Sequence, residues 1–176
     1  MRPDLEFFLR ILVAALLGSA IGLEREYRAK EAGFRTHFLV AMGAALFMIL
    51  SAHGFDGVLT SDNHRLDVSR IAAKVVSGIG FIGAGTIIFQ RHAVRGLTTA
   101  AGLWVTAAIG MAAGAGMYLL AVETTVLVLL GLEAFNHILR RIGRRDTSSA
   151  AAEEENPSSF EQNDTENDEN STDRLR

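Results

Sequence analysis

Apolar residues in this chain fall into five long runs, Leu5–Leu23, Thr36–Ala52, Ser69–Phe89, Leu97–Gly114 and Met117–Phe135, separated by short polar breaks. Each run is near the ~20 residues a helix needs to cross ~30 Å of hydrocarbon. The pattern therefore predicts an all-α, polytopic membrane protein with a five-helix bundle. The break at Ala115-Gly116 is so short that helices four and five should form a tight hairpin. Thr60–Asp67 is the most polar interior loop. Leu17-Gly18-Ser19-Ala20 resembles the cleavage region of a secretory signal, but the chain continues beyond it as one uniform membrane body.

Within the runs, small residues recur on stripes. Thr98, Gly102, Thr106, Gly110 and Gly114 repeat every four residues on helix four, as do Ala14, Gly18 and Gly22 on helix one. Ala73, Ser77, Gly80 and Ala84 form a stripe on helix three, with Gly78 and Gly85 beside it and Gly83 in the same run. In lipid, burying Leu against Leu gains little, and small residues let backbones approach closely. The glycines are thus expected to pack helices within one subunit, or to form a self-association face or a hinged pore helix.

Charge divides the chain. From Asp146 to Arg176 there are ten acids against two arginines, whereas Met1–Arg145 carries fifteen Lys/Arg against ten acids. A segment so poor in apolar residues cannot offset its ordering entropy, so the expected organisation is a membrane domain over 1–140 and a basic juxtamembrane segment with an acidic disordered tail over 141–176. Lys and Arg are enriched in cytoplasmic loops. Ten of them (Arg25, Arg28, Lys30, Arg35, Arg91, Arg95, Arg140, Arg141, Arg144, Arg145) follow odd-numbered helices, against Arg2, Arg65 and Arg70 on the other side. This places the amino terminus outside and the tail in the cytoplasm.

Catalysis has no visible residues to run on. Gly78-Ile79-Gly80-Phe81-Ile82-Gly83 matches the dinucleotide-binding fingerprint, but it lies inside an apolar span rather than after a strand of a βαβ unit. The chain lacks a P-loop, a nucleophile–base arrangement and any cysteine. No enzyme activity, cofactor or nucleic-acid partner is expected. Ionisable residues within a membrane are costly and usually paired. Arg10, Lys74 and Glu123 lie at a similar depth in helices one, three and five, which makes them candidate functional charges, with Lys74 and Glu123 able to neutralise each other. A second candidate cluster lies at the cytoplasmic face: Glu24, Arg25, Arg35, Thr36, Thr98 and Thr99, with a Glu24–Arg35 salt bridge and threonine capping of helix four as its expected ties. For Mg²⁺, which favours oxygen ligands, Asp56, Asp62 and Asp67 outside and Glu24 and Glu26 inside offer only a weak signal, and Asp67 is the candidate metal residue.

G-S-A-I-G-L-E-R-E (Gly18–Glu26), A-G-F-R-T-H (Ala32–His37), D-V-S-R-I-A-A-K-V-V-S-G-I-G-F-I-G-A-G (Asp67–Gly85) and R-G-L-T-T-A-A-G-L-W-V-T-A-A-I-G (Arg95–Gly110) occur here in order. By these motifs the chain resembles the MgtC/SapB family of bacterial inner-membrane proteins. The resemblance implies a five-helix membrane module linked to adaptation to low magnesium and, in pathogens, to survival inside host cells. It also implies a short form, since long members carry a folded cytoplasmic domain where this chain has its acidic tail. Relatives often have Asn where Thr98 stands.

Two function classes follow. In the first the chain is a non-catalytic regulator, bound to another membrane complex or to itself through a glycine-rich face. In the second it is a transporter or channel for Mg²⁺ or another small solute. A conducting path requires polar residues along one face of several helices, and the middle of this bundle reads as largely dry, which favours the regulator.

Overall fold

The structure, a computed structural model, describes residues 3–55, 67, 69–90 and 93–134. The acidic tail, residues 56–66 with Asp56, Asp62 and Arg65, and the arginines at 91, 140, 141, 144 and 145 lie outside the described residues. The chain divides into two compact units, residues 1–130 and 131–176.

Five helices and one small hairpin make up the described chain. They are α1 (Pro3–Tyr27), α2 (Phe34–His53), α3 (Ser69–Gly85), β1 (Ile88–Gln90), β2 (Ala93–Arg95) and α4 (Leu97–Gly114), followed by α5 over 118–134. Among the described residues three helices are long and apolar enough to cross a membrane: Asp4–Tyr27, Phe34–His53 and Leu97–Gly114.

The distribution of side chains on these helices is that of a protein in lipid. Large apolar residues of α1 (Phe8, Leu12, Leu16, Leu23) point outward, while Ala14, Ala15, Gly18, Ile21 and Gly22 are buried. One core cluster joins Ala14 and Ile21 of α1, Ala45 of α2, Ile109 and Ala113 of α4, and Ala121 of α5. A second joins Ala32, Ala44 of α2, Ile79 of α3, and Leu103 and Ala107 of α4. With small residues at the centre, backbones come close enough for dispersion to hold the bundle where the hydrophobic effect does not.

Helix α3 ends earlier than its apolar pattern suggests. The amides of Thr86 and Ile87 close a tighter turn onto the carbonyls of Gly83 and Ala84, at 3.0 and 3.1 Å, and the chain then becomes extended. Thr86, Ile87 and Ile88 are three successive β-branched residues, which favour a strand over a helix. Ile88 pairs with Arg95, Phe89 with Val94 and Gln90 with Ala93 in an antiparallel hairpin. Apolarity alone carried the expected helix to Phe89, and it does not distinguish a buried helix from a short strand. Gly96 then turns the chain into α4 with φ +87°, and a Cβ there would lie 1.9 Å from the Thr86 carbonyl oxygen. Only glycine fits this position.

At the other end of α4 the turn at Ala115-Gly116 is as tight as its length implies. Gly116 takes φ +80°, the Met117 amide donates to the Ala112 carbonyl and the Gly116 amide donates to Ala113, at 2.9 and 3.0 Å. This pair of bonds is the Schellman closure that a left-handed residue after a helix permits. Helix α1 ends in the same way, with the left-handed position taken by Ala29 at φ +50°.

Candidate functional site

The most polar buried region lies where the end of α1, the α1–α2 connection and the first turns of α2 and α4 meet. Its centre is Arg25, only 2% exposed. A buried guanidinium needs a carboxylate, and Glu24 provides one: its Oε2 accepts from Arg25 Nε at 2.7 Å, and its Oε1 accepts from Arg28 Nε at 2.5 Å. Glu26, two residues on, turns the other way. Its Oε2 accepts the Phe34 amide at 2.7 Å, placing a negative charge at the amino terminus of α2, where the helix dipole favours it. A Cβ on Gly33 would fall 2.0 Å from that oxygen, so the contact exists because residue 33 is glycine.

Two further groups complete the region. The buried Thr99 hydroxyl donates to Glu31 Oε2 at 2.7 Å, tying the α1–α2 connection to α4. This bond above all, with help from the Glu31 amide, holds the Glu31 carboxyl below its ordinary pKa. His37 is fully buried, with Nδ1 3.0 Å from the Gly33 carbonyl oxygen. Nδ1 must be the protonated nitrogen to donate there, which leaves Nε2 as an acceptor. That Nε2 is buried without a hydrogen-bond partner among the described residues.

Several sequence candidates fall elsewhere. Arg35 is exposed and Glu24 is held by Arg25 and Arg28, so no Glu24–Arg35 bridge exists among the described residues. Thr98 is exposed and Thr36 half-buried. Gly96 is the N-cap of α4, with no side-chain cap bond, and the threonines do not cap that helix. The sequence offered Glu26 only as a weak Mg²⁺ candidate and gave no role to Glu31, Gly33 or His37. The A-G-F-R-T-H run marked the place, but which of its polar atoms is buried depends on how close α1, α2 and α4 come.

The three candidate charges Arg10, Lys74 and Glu123 do not come together among the described residues. Arg10 pairs with Glu6, lies 5.9 Å from the Phe7 ring centre and donates to the Gly114 carbonyl at 3.0 Å. Lys74 and Glu123 are both exposed, and no ion pair joins them among the described residues. Asp67 acts at the start of α3, its Oδ1 accepting the Ser69 amide at 3.0 Å and the Ser69 hydroxyl at 2.5 Å. Those bonds, hydroxyl first, with Arg70 nearby, hold its carboxyl below the ordinary value. Among the described residues no group of three His, Cys, Asp or Glu side chains is placed to hold a metal ion.

The glycines divide into two groups. Added Cβ atoms on Gly18, Gly22, Gly110 and Gly114 would lie within 2.3–2.7 Å of α2 atoms. Gly83 would make ordinary contact with Ala100 of α4, and Gly102 would come 3.7 Å from His37 Nε2. Gly78, Gly80 and Gly85 would meet nothing within 4 Å, because much of α3 lies at the outside of the bundle.

The MgtC family profile matches residues 11–141. The chain belongs to the MgtC family. A protein of Escherichia coli K12 named "Putative magnesium transporter YhiD" is 54% identical over 137 residues, 78% of this chain and 64% of the relative. "Uncharacterized protein slr0014" of Synechocystis is 47% identical over 125 residues, 71% of this chain and 50% of the relative. "Protein MgtC" of Salmonella typhimurium LT2 is 43% identical over 139 residues, 79% of this chain and 54% of the relative. This MgtC-family chain thus spans between half and two thirds of the length of the relatives it matches. No solved structure matches it.

Proposed function

We propose that this MgtC-family membrane protein is a non-catalytic regulator in adaptation to low magnesium, acting by docking its α3 against another complex of the bacterial inner membrane. In this reading all five helices span the bilayer, with the amino terminus outside and the tail in the cytoplasm. The observation that carries it is the orientation of the α3 stripe: Ala73, Ser77, Gly80 and Ala84 are all exposed, and Gly80 faces open space. A small-residue stripe on an outer helix face offers a second helix the close backbone approach that drives association in lipid. The interior supports the same reading. Buried Thr106 and Thr125 donate to carbonyls of their own helices, Arg25 is bound to Glu24 beside it, and Thr99 to Glu31 of the α1–α2 connection, so these polar groups are engaged in bonds within the protein rather than in lining a path.

The name of the Escherichia coli relative points to the second reading, magnesium transport. Flux separates the two. Proteoliposomes carrying the folded, purified chain should show no protein-dependent Mg²⁺ uptake, while Gly80→Leu should abolish support of growth at low magnesium without loss of the protein from the membrane. Saturable uptake that Glu123→Gln removes would establish transport instead.

A further inference from the structure

Between α2, α3 and α4 runs a groove of about 480 Å³. Its walls include Gly43 and Phe47 of α2, Lys74, Gly78 and Ile82 of α3, and Ala107 of α4. Two features set it apart from an ordinary seam between helices. Neither Gly43 nor Gly78 has any atom within 4 Å of where a Cβ would stand, so the groove is open along both walls. Lys74 is the one charged residue lining it, and no ion pair engages Lys74 among the described residues.

We propose that this groove holds one acyl chain of an anionic phospholipid, with Lys74 set against its phosphate. An ammonium in the second turn of a helix, beside hydrocarbon, is costly unless neutralised, and a lysine stem can carry its charge along an apolar wall to the headgroup level. The first turn of α3 adds the positive end of a helix dipole near the same headgroup. The groove opens to the outside past Phe47 and Ile82, each about half exposed, and its volume is that of a small-molecule site. A second copy is a poorer occupant. A second copy would bury Lys74 in the contact, and the groove lining carries no carboxylate to pair with its ammonium. This inference rests on the proposed reading that α3 lies in the bilayer, but not on the docking of its Gly80 face.

The test is native mass spectrometry of the full chain, delipidated in mild detergent and titrated with dioleoyl phosphatidylglycerol or dioleoyl phosphatidylcholine. One phosphatidylglycerol should be retained per chain, about fivefold more tightly than phosphatidylcholine, the contribution expected of one lysine at an anionic headgroup. Lys74→Gln should bring phosphatidylglycerol to the phosphatidylcholine level. Gly78→Leu should fill the groove and lose the lipid, and Gly43→Leu on the opposite wall should do the same, with thermal unfolding as the folding control for each. Gly80→Leu should keep it. Equal affinity for the two lipids overturns the proposal, as does an undiminished preference for phosphatidylglycerol in Lys74→Gln. A lipid-free dimer cross-linked across the groove overturns it too.

Discussion

The guanidinium of Arg10, in the second turn of α1, donates a 3.0 Å hydrogen bond to the carbonyl of Gly114, the last residue of α4. Carbonyls in the last turn of a helix have no partner within it, and the dipole makes that end negative. A cation supplied from another helix answers both needs. Arg10 thereby joins two helices 104 residues apart in sequence. A charge that reads from the sequence as a candidate functional residue serves in the structure as a tie between α1 and α4.

Replacing Arg10 with Leu should destabilise the bundle by about 1–2 kcal/mol, the range for a charge-assisted hydrogen bond discounted for a membrane environment. Arg10→Lys should recover part of the loss, since it keeps the charge but not the forked donor. Unfolding in detergent or by steric trapping reads both. A stability unchanged in Arg10→Leu would show that the Gly114 carbonyl is satisfied without it.

Gly110 and Gly80 should respond in opposite directions to the same change. A Cβ on Gly110 would lie 2.3 Å from the Ala41 carbonyl oxygen, a contact that backbone cannot relieve by rotating a side chain. Gly110→Ala should therefore cost about 1–3 kcal/mol as α2 and α4 are pushed apart. Gly80→Ala meets nothing within 4 Å and should be neutral or stabilising by up to about 1 kcal/mol through lower backbone entropy in the unfolded chain. Equal effects at the two positions would contradict the packing described here.

The Thr99–Glu31 bond predicts a pH dependence. A carboxyl whose folded-state pKa lies below its unfolded value contributes stability above the unfolded value, about 4.3 for Glu, and loses it as pH falls through the folded one. Glu31 is such a group, held down first by the Thr99 hydroxyl. In Thr99→Val its titration, followed by carboxyl NMR shifts, should move up toward the ordinary value. The variant's melting temperature should fall less between pH 5 and pH 3 than that of the parent, pH values chosen to bracket that range. An unmoved Glu31 titration would mean that the hydroxyl does not hold it.

The bounds of α4, Leu97–Gly114, could be read directly, because Gly96 and Ala115-Gly116 punctuate a continuous apolar run on both sides. The tight packing at Gly18, Gly22, Gly110 and Gly114 follows from four-residue spacing on helices whose other faces carry Leu and Phe. Spacing could not reveal which helix is central. Gly78, Gly80 and Gly85 of α3 have similar neighbours in sequence, and they look outward because α3 sits beside α2 and α4 rather than between them; Gly83 alone of the α3 glycines packs on α4. The polar belt was located to within a few residues, yet its pairing was not legible. Glu24 has arginines at 25, 28 and 35 nearby in sequence; Arg25 is its neighbour and Arg28 lies one helical turn on, while the chain turns at Ala29 and leaves Arg35 exposed.

His37 leaves the sharpest unanswered demand in this belt. Its Nδ1 is committed to the Gly33 carbonyl, and its Nε2, an acceptor in that tautomer, is buried with no donor among the described residues. A buried polar atom left unpaired costs about 1–3 kcal/mol, so a donor placed beside it should stabilise the fold. Gly102 is the place to put one. A Cβ there would lie 3.7 Å from Nε2, which, α4's own neighbouring atoms aside, is the one atom of the described residues it would meet within 4 Å. Gly102→Ser should let the new hydroxyl donate to Nε2 and raise stability by about 1 kcal/mol, part from the bond and part from replacing glycine within a helix. Gly102→Ala separates the two parts, because it supplies the helix preference without the donor. Imidazole ¹⁵N shifts should report a hydrogen-bonded Nε2 in the serine variant alone. If serine and alanine stabilise equally, Nε2 already has a donor, and the group that supplies it becomes the next one to find.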